Sequence, residues 1–250
     1  MTTTTRRGAR ALRATPLLPL LALLLTACSS SPADADRVAE ETSASPSPAP
    51  SPSIDPANFV DEIDNPYLPL APGTGHHFDG ICTHGKQTMV TEVTQDRENI
   101  LGVSTLVVRE RQHCQGEQPT ELRHFYAQDE GGNVWYFGRD TGTAHGSWRA
   151  GMDGAQPGVV MLAEPMEGEI YQQQFAPDVA ENEAKVISLN EDLAISLGRF
   201  SEVLKIRETS RLDPEVITEK YYGKELGLIR SQRVQGGDDN LELADITGVD

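Results

Sequence analysis

The chain has 250 residues, with 38 Asp and Glu against 21 Lys and Arg, so that its formal net charge at neutral pH is −17. A surface of this charge repels nucleic acids and anionic lipid headgroups, which argues against both as direct partners. It would suit cationic partners, or it simply keeps an exported domain dispersed. The length suits one domain after the N-terminal segments, and no internal repeat is evident.

The first 27 residues predict an export signal. Four arginines, with no acidic residue among them, precede an apolar run at 17–25 that is too short to span a bilayer. The run ends in Leu25-Thr26-Ala27-Cys28, which resembles the lipobox of bacterial lipoproteins, where the cysteine is acylated and becomes the new N-terminus. We therefore expect a signal peptide over 1–27 and a lipid anchor on Cys28. An ordinary secretory signal cleaved elsewhere is the alternative.

The segment over 28–53 is rich in Ser, Pro and Ala and offers almost nothing to bury. Such a composition cannot repay the entropy of ordering, so we expect a disordered tether. The tether would hold the folded part away from the lipid surface. Residues 54–250 are then expected to form a single β-rich domain in an extracytoplasmic location.

Two further cysteines, Cys82 and Cys114, form an even pair in a chain that is predicted to reach an oxidising compartment. A disulfide is the default expectation there. The alternative is a metal site, since His84 and His113 each lie within two residues of a cysteine. A C-x-H segment with an H-C segment is an uncommon zinc spacing, which favours the structural disulfide. We expect no metal ion and no cofactor.

Alternation with a period of two dominates the body of the chain and predicts β-strands. In GVSTLVVRERQ, at 102–112, β-branched residues abound and apolar side chains occupy both faces. Similar runs occur at 87–93, 121–127, 133–138, 169–175, 185–189, 200–209, 216–222, 226–234 and 241–247. Ten or more short strands predict an all-β, mainly antiparallel fold with a single strongly curved or barrel-like sheet. One short N-terminal helix is predicted over 56–63, with Asp55 as its N-cap and Pro56 at its first position.

Cations lie among apolar neighbours in the strands at 200–234, which predicts a sheet with one wetter face. The three cations are Lys205, Arg207 and Lys220, and the candidate partners across the strands are Glu202, Glu208 and Glu219. Opposite charges on neighbouring strands stabilise a sheet, so we expect a ladder of ion pairs. A site for an anionic ligand is the alternative.

The stretch over 131–154 contains both tryptophans of the chain and is the first candidate for a ligand site. Alternation places Trp135 and Phe137 on one face of a strand and Val134 and Tyr136 on the other. We expect the inner face of the sheet to carry Phe125, Trp135, Phe137, Leu106 and Val108. The candidate ligand-binding residues are Phe125, Trp135, Phe137, Trp148 and Asp153. The inner face either fills itself with side chains or leaves a pocket for an apolar ligand.

Other residue types allow catalytic or metal sites, but with weaker signals. Ser147 lies two residues after His145, and Asp153 follows, yet the setting lacks the strand-turn-helix of a nucleophile elbow. A calcium loop could use Asp153, or Asp129 with Glu130 and Asn133, but the twelve-residue pattern is absent and these residues before glycine are typical of turns. The adjacent His76 and His77 should face opposite ways, with one packed and one exposed.

Four segments together resemble an uncharacterised family of bacterial exported proteins and lipoproteins. They are NPYLPLAPG at 65–73, FYAQDEGGNVWYFG at 125–138, GSWRAGMDGAQPGVVM at 146–161 and EKYYGKELGLI at 219–229. The family has no assigned activity, so the resemblance implies a domain and not a function. Arg139 and Arg149 stand where the family often has acidic residues, which puts a carboxylate-based role there in doubt. By weaker analogy, the layout resembles LolA-like lipoprotein carriers, whose half-barrel shelters acyl chains, although helices to cover the sheet are not found.

These patterns together predict a membrane-anchored lipoprotein of the bacterial cell envelope that is a non-enzymatic binding module for a hydrophobic ligand. Its partners would be the membrane, through Cys28, and a hydrophobic small molecule or an envelope protein, but no nucleic acid. A structural or protein-partner role is the alternative, and a hydrolase ranks third.

Overall fold

The structure, a computed structural model, describes residues 54–248. The predicted signal peptide, the lipidated Cys28 and the tether lie outside the described residues, and they stay predictions. Within the described part, no helix is long and apolar enough to cross a membrane.

The described residues form one antiparallel sheet that closes on itself. Its strands are β1 (Phe59–Val60), β2 (Gly75–Cys82), β3 (Gly85–Ile100), β4 (Val103–Cys114), β5 (Thr120–Asp129), β6 (Val134–Asp140), β7 (Trp148–Arg149), β8 (Gln156–Met161), β9 (Ile170–Ala176), β10 (Ala180–Ile195), β11 (Gly198–Ser210), β12 (Ile217–Gly223), β13 (Gly227–Gln235) and β14 (Asn240–Thr247).

Twelve of these strands form a closed barrel. Each strand from β2 to β6 pairs with the next, β6 pairs with β8, and the meander continues to β14. The last strand then pairs with β2, which closes the barrel and leaves no open edge along it. The two-residue strands β1 and β7 are additions beside β5 and β6. The prediction of an all-β antiparallel, barrel-like sheet of ten or more strands is confirmed.

The predicted N-terminal helix over 56–63 is wrong in its extent. Only Pro56–Asn58 is helical, as one 3₁₀ turn, and the Asp55 side chain accepts a hydrogen bond from Ala57 N at 3.0 Å. From Phe59 the chain is extended and pairs with the end of β5. The local cap therefore forms as expected, but pairing with β5 prevents the helix from continuing.

The two faces of β4 belong to different cores. Leu106 and Val108 pack in a cluster that includes Leu204 of β11. Because β4 and β11 are not neighbours in the sheet, this cluster spans the barrel and marks its inner face. Val107, between them, packs with Phe125 in a separate cluster. Alternate residues of a strand point to opposite faces, so this second cluster lies on the outside.

The predicted inner face is wrong for three of its five residues, which belong to this cluster on the outside; we call the cluster the outer core. Phe125, Trp135 and Phe137 lie on the outer face, where residues 54–59 and Ala150 cover them. The Phe59 ring meets Trp135 and Phe137 edge-on, with centroids 6.2 and 5.6 Å apart. Both faces of this part of the sheet are therefore buried, and apolar alternation alone cannot indicate which of them is inside.

The expected ladder of ion pairs is present on both faces. Lys205 and Arg207 contact the buried Glu219, at 2.8 and 2.6 Å. Lys220 contacts Glu208 at 2.8 Å. The neighbours Glu219 and Lys220 alternate along β12, so the first group and the second group lie on opposite faces of the sheet.

Cys82 and Cys114 form the predicted disulfide, with sulfur atoms 2.09 Å apart. The bond joins the end of β2 to the end of β4 across the start of β3. Because both sulfur atoms take part in the disulfide bond, neither cysteine is available as a thiolate ligand for the alternative metal site. His84 instead lies 3.3 Å from Glu117.

Candidate ligand-binding site

A pocket of about 530 Å³ opens at the end of the barrel where β6 and β9 end and β8 and β10 begin; we call it the mouth pocket. Its lining residues are Arg139, Asp140, Gly142, Thr143, Ala144, Ser147, Trp148, Arg149, Met152, Asp153, Ala155, Ala176, Pro177 and Val179. Two of the predicted site residues, Trp148 and Asp153, are among them. The structure therefore brings these two together in a concave surface.

The loop over 141–147 is held by its own hydroxyl groups. Thr141 N–H donates to Ser147 Oγ at 2.9 Å, and Thr141 Oγ1 donates to the carbonyl of His145 at 2.9 Å. The Ser147 hydroxyl donates to the carbonyl of Thr143. Ser147 thus closes the loop with neighbours that cannot act as a general base, and the arrangement does not support the hydrolase alternative.

A tight turn forms the rim on the other side of the pocket. Gly151 N–H donates to the Ala155 carbonyl, and Ala155 N–H donates to the Met152 carbonyl, each at 2.8 Å. Asp153 takes a left-handed backbone conformation, with φ of 50°, which aspartate tolerates better than most residues. The turn leaves the Met152 side chain 57% exposed. An apolar side chain is thereby presented to solvent at the edge of the pocket.

Trp148 forms part of the pocket wall and is almost completely buried. Its ring meets the Tyr136 ring edge-on, with centroids 5.5 Å apart. Within the described residues, its indole N–H has no hydrogen-bond partner. Trp135 differs, because its indole N–H donates to Asp129 at 2.8 Å on the outer face.

The arginines of the pocket are fixed by the protein. Arg139 Nε donates to the carbonyl of Gly146 at 2.8 Å. Arg149 pairs with Glu98 and lies with its guanidinium carbon 4.6 Å from the centre of the Phe125 ring. The two positions at which the family resemblance would have suggested acidic residues therefore carry anchored cations.

A second, deeper space of about 160 Å³ lies inside the barrel; we call it the inner cavity. It is lined by Leu68, Pro69, Leu70, His76, Phe78, Met89, Thr91, Val93, Val108, Glu110, Tyr126, Val160, Lys220, Tyr222, Gly227 and Leu228. These residues come from strands on opposite sides of the barrel and from the segment before β2. Most of them are apolar, and the charged members are Glu110 and Lys220.

Two side-chain contacts that involve charged residues border the inner cavity. Lys220 contacts Glu208, and a Glu110 oxygen lies 3.5 Å from His124 Nε2, which is too long for a firm hydrogen bond. The other ring nitrogen of His124 lies 2.7 Å from the Tyr136 hydroxyl, within hydrogen-bonding distance. The barrel interior therefore holds an anion–cation pair and a carboxylate–imidazole contact.

The surroundings keep both Glu110 and Lys220 in their charged forms. Burial alone would raise the pKa of Glu110, but the contact with His124 and the nearby cations hold this pKa below its usual value. Burial alone would lower the pKa of Lys220, but Glu208, Tyr126 and Glu110 raise it. The pKa of Tyr126 is raised by burial and by Glu110, so its hydroxyl keeps its proton.

Aromatic side chains separate the two spaces. Trp148 of the mouth pocket contacts Tyr136, and Tyr136 contacts Tyr126 with ring centroids 5.1 Å apart. Tyr126 in turn lines the inner cavity. Burial raises the pKa of Tyr136 well above its ordinary value, so this partition is uncharged. The mouth pocket and the inner cavity are therefore distinct sites on either side of an aromatic wall.

The remaining predicted residues have structural positions. Phe125, Trp135 and Phe137 belong to the outer core and line neither space. The Asp129 carboxylate, a candidate calcium ligand, accepts hydrogen bonds from Asn133 N at 2.9 Å and from Trp135, as a turn-forming aspartate does.

The adjacent histidines differ as expected. His76 lines the inner cavity, and burial lowers its pKa, whereas His77 is exposed.

Among the residues of the inner cavity and the aromatic wall, the sequence did not single out Glu110 or Tyr126. It named Tyr136 only for its strand face, and Lys220 only for an ion pair or an anion site. Tyr126 and Tyr136 lie on the opposite face of their strands from Phe125, Trp135 and Phe137. Glu110 instead lies on the same face of β4 as Leu106 and Val108. Alternation placed Tyr136 on the face opposite Trp135 and Phe137, but it could not indicate which of the two faces is inside.

No protein-family model matches the chain, and no curated protein matches it. Two solved structures are similar to it. One is a protein of Bacteroides fragilis that has a YmcC-like fold and is thought to be exported. It has 13% identity and a TM-score of 0.45 over 73% of this chain and 99% of its own. The other is a proposed lipoprotein of Parabacteroides distasonis, with 11% identity and a TM-score of 0.34 over 72% of this chain and 98% of its own. At these scores, neither structure bears on the site or on its function.

Proposed function

We propose that this protein is a lipid-anchored, extracytoplasmic binding module that takes a small, largely apolar molecule in the mouth pocket. The observation that carries the proposal is the pocket itself, which has a volume of about 530 Å³. Sites for small molecules range over roughly 300–1,000 Å³ and combine apolar walls with a few polar groups. The mouth pocket has both properties.

The chemistry of the walls indicates an amphipathic ligand. Trp148, Met152 and Val179 provide an apolar strip, and the exposed part of Met152 is surface that a ligand could remove from water. Burying apolar area contributes about 25 cal/mol per Å². Arg139 and Asp140 are charged residues of the same pocket lining. The ligand would place its apolar part on the strip and one polar group near these side chains.

A second feature favours binding over a purely structural role. Loops that carry binding sites are usually held by a rigid scaffold. The mouth pocket follows this arrangement, because its loops rise from β6, β8 and β9 of a closed barrel and are fixed by internal hydrogen bonds such as that from Thr141 to Ser147.

Native mass spectrometry tests the proposal on a full-length Cys28→Ala form, which cannot be acylated. The protein purified from cells should carry an extra mass that solvent extraction releases as an apolar molecule. When fatty acids and phospholipids are offered to stripped protein, the same assay should show them bound. A clean apo mass that does not change when these lipids are offered would refute a hydrophobic ligand.

The two tryptophans give a matched optical test. Ligand in the mouth pocket should change the fluorescence of Trp148, whereas Trp135 lies in the outer core. The change should therefore persist in Trp135→Phe and disappear in Trp148→Phe. The opposite pattern would place the ligand elsewhere.

The anchor has its own test. Labelled palmitate should enter the wild-type protein and not the Cys28→Ala form, which should also leave the membrane fraction. Equal labelling or equal membrane retention of the two proteins would contradict a lipid anchor on this cysteine.

A further inference from the structure

We propose that the inner cavity is a second binding site, separate from the mouth pocket, for a compact apolar molecule that carries one hydroxyl group, as phenols and small alcohols do. The proposal does not depend on a ligand in the mouth pocket, because the aromatic wall of Trp148, Tyr136 and Tyr126 separates the two spaces.

The size of the cavity limits the ligand. An engineered cavity of about 150 Å³, lined by aliphatic and aromatic side chains, binds benzene. The inner cavity has about 160 Å³, and Leu70, Phe78, Val93 and Leu228 are among its walls. A single ring or a short branched chain fills this volume. A diacyl lipid does not fit, which separates this site from the acyl-chain shelter of a lipoprotein carrier.

The charged wall specifies the polar group. Glu110 can only accept hydrogen bonds when ionised, and Lys220 can only donate them. Lys220 contacts Glu208 at 2.8 Å, and its ammonium group has three donors in all. A hydroxyl donates and accepts at once, so it can bond to both Glu110 and Lys220. Both side chains keep part of their area accessible, and both line the cavity.

Charged ligands suit the cavity less well. A carboxylate would be attracted by Lys220 but repelled by Glu110 and Glu208. An ammonium group would be attracted by the two carboxylates, but it would lose its hydration in a mostly apolar space beside the Lys220 ammonium group. A molecule without any polar group would offer Glu110 and Lys220 no hydrogen bond and would keep water away from them, which is costly in a buried site. The neutral hydroxyl avoids both penalties. His76 and Tyr126 also border the cavity and add no net charge when neutral.

The retention of these charges supports a ligand. Filling the barrel requires only apolar side chains, and replacing buried ion pairs by apolar residues is often neutral or stabilising in proteins. The lumen keeps Glu110 and Lys220 beside an unfilled volume. A binding site needs such polar groups beside an open space, whereas a filled core needs neither.

Calorimetric titration with four probes of one size tests the proposal: phenol, toluene, benzoate and benzylamine. With the full-length Cys28→Ala form, phenol should bind saturably and at least tenfold more tightly than each of the others. Ligand-observed NMR checks the same ranking at low affinity. No saturable binding of phenol, or equal binding of phenol and toluene, would overturn the proposal.

Variants locate the site. Glu110→Gln preserves the shape of the side chain but removes its charge, and it should weaken phenol binding about tenfold, because charge-assisted hydrogen bonds are roughly twice as strong as neutral ones. Lys220→Met should have a similar effect. Lys205→Met, which removes a lysine from the outer face, and Trp148→Phe should leave phenol binding unchanged.

Circular dichroism identifies any variant that fails to fold. If Lys220→Met is such a variant, the isosteric Glu110→Gln carries the test alone. Unchanged phenol binding in folded Glu110→Gln protein would refute the assignment of the site. A loss of binding in Trp148→Phe would instead move phenol to the mouth pocket and equally refute it.

Discussion

Gly138 is the position at which the mouth pocket depends most directly on a missing side chain. Its backbone has φ of +140°, and it pairs with Arg149 beside Trp148. A Cβ atom at this position would overlap the carbonyl oxygen of Trp148 and lie 3.0 Å from the Arg149 Cα atom. The obstacle is backbone on both sides, so it cannot be relieved by turning a side chain. Gly138→Ala should therefore push β7 away from β6.

The magnitude follows from two penalties. A residue other than glycine in such a backbone conformation costs about 1–3 kcal/mol. Forcing an extra methyl group into a packed site costs about 1–3 kcal/mol more. Gly138→Ala should therefore lower the free energy of unfolding by roughly 2–6 kcal/mol. For a domain of this size, each kcal/mol corresponds to roughly 2–4 °C in Tm.

Gly142 provides the matched control within the same region. It also has positive φ, at +72°, but a Cβ atom there would meet nothing within 4 Å. Gly142→Ala should therefore lose only the conformational part, about 1–2 kcal/mol. Urea denaturation measures both variants, and the fluorescence of Trp148 reports whether the pocket wall has moved. If the two variants lose the same stability within error, the argument from backbone overlap is refuted.

Three further changes test the core, the disulfide and the ion pairs. Phe137→Ala should lower the free energy of unfolding by about 3–5 kcal/mol in urea denaturation, because it empties part of the outer core; a loss below 1 kcal/mol would contradict its burial. Serine at both Cys82 and Cys114 should cost about 3–4 kcal/mol by loop entropy, and intact-mass measurement of untreated wild-type protein should find no free thiol in this pair. Burial alone would raise the pKa of Glu219, but Lys205 and Arg207 hold this pKa below its usual value. The charge of Glu219 therefore stabilises the fold above about pH 4.5, and this contribution is lost as the pH falls through the lowered pKa. Glu219→Gln should lose about 1–3 kcal/mol at pH 7, and thermal melts should show the difference from wild type shrinking toward pH 3; a constant difference would contradict the ion pairing.

Features that depend on neighbouring residues or on cysteine chemistry could be predicted from the sequence. The strands follow from alternation, and the disulfide follows from an even pair in an exported chain. The ion pairs of Lys205 and Lys220 follow from the charge pattern of adjacent strands. The strand pair that closes the barrel could not be predicted, because β14 and β2 lie more than 150 residues apart in the chain.

The predicted helix shows how a distant contact overrides a local signal. Asp55 caps the turn as its residue type predicts, so the local interpretation was sound at that point. Phe59 leaves the helix because its backbone pairs with β5 and its ring packs against Trp135 and Phe137. The gain from covering the outer core outweighs a helix that would be too short to be stable alone.

The inner cavity could not be predicted from the sequence, because several polar side chains here face the interior of the barrel. In an antiparallel sheet, polar residues normally face water and apolar residues face the core. On β5 and β6 the face with Phe125 and Phe137 is the more apolar one, so its composition predicts that it is the interior. In the structure that face is outside, under the segment that precedes β2, and the face with Glu110 and Tyr126 is inside.

The width of the barrel explains why that reversal is tolerated. Eight strands enclose just enough space for side chains to fill, whereas sixteen or more leave an aqueous channel. Twelve strands lie between these limits, so apolar side chains do not fill the whole lumen and long polar side chains can meet across it. Lys220 on β12 approaches Glu110 and Tyr126 from the far side of the barrel in this way. Charged residues on the less apolar face of a wide barrel are therefore the sequence feature that should direct attention to the lumen.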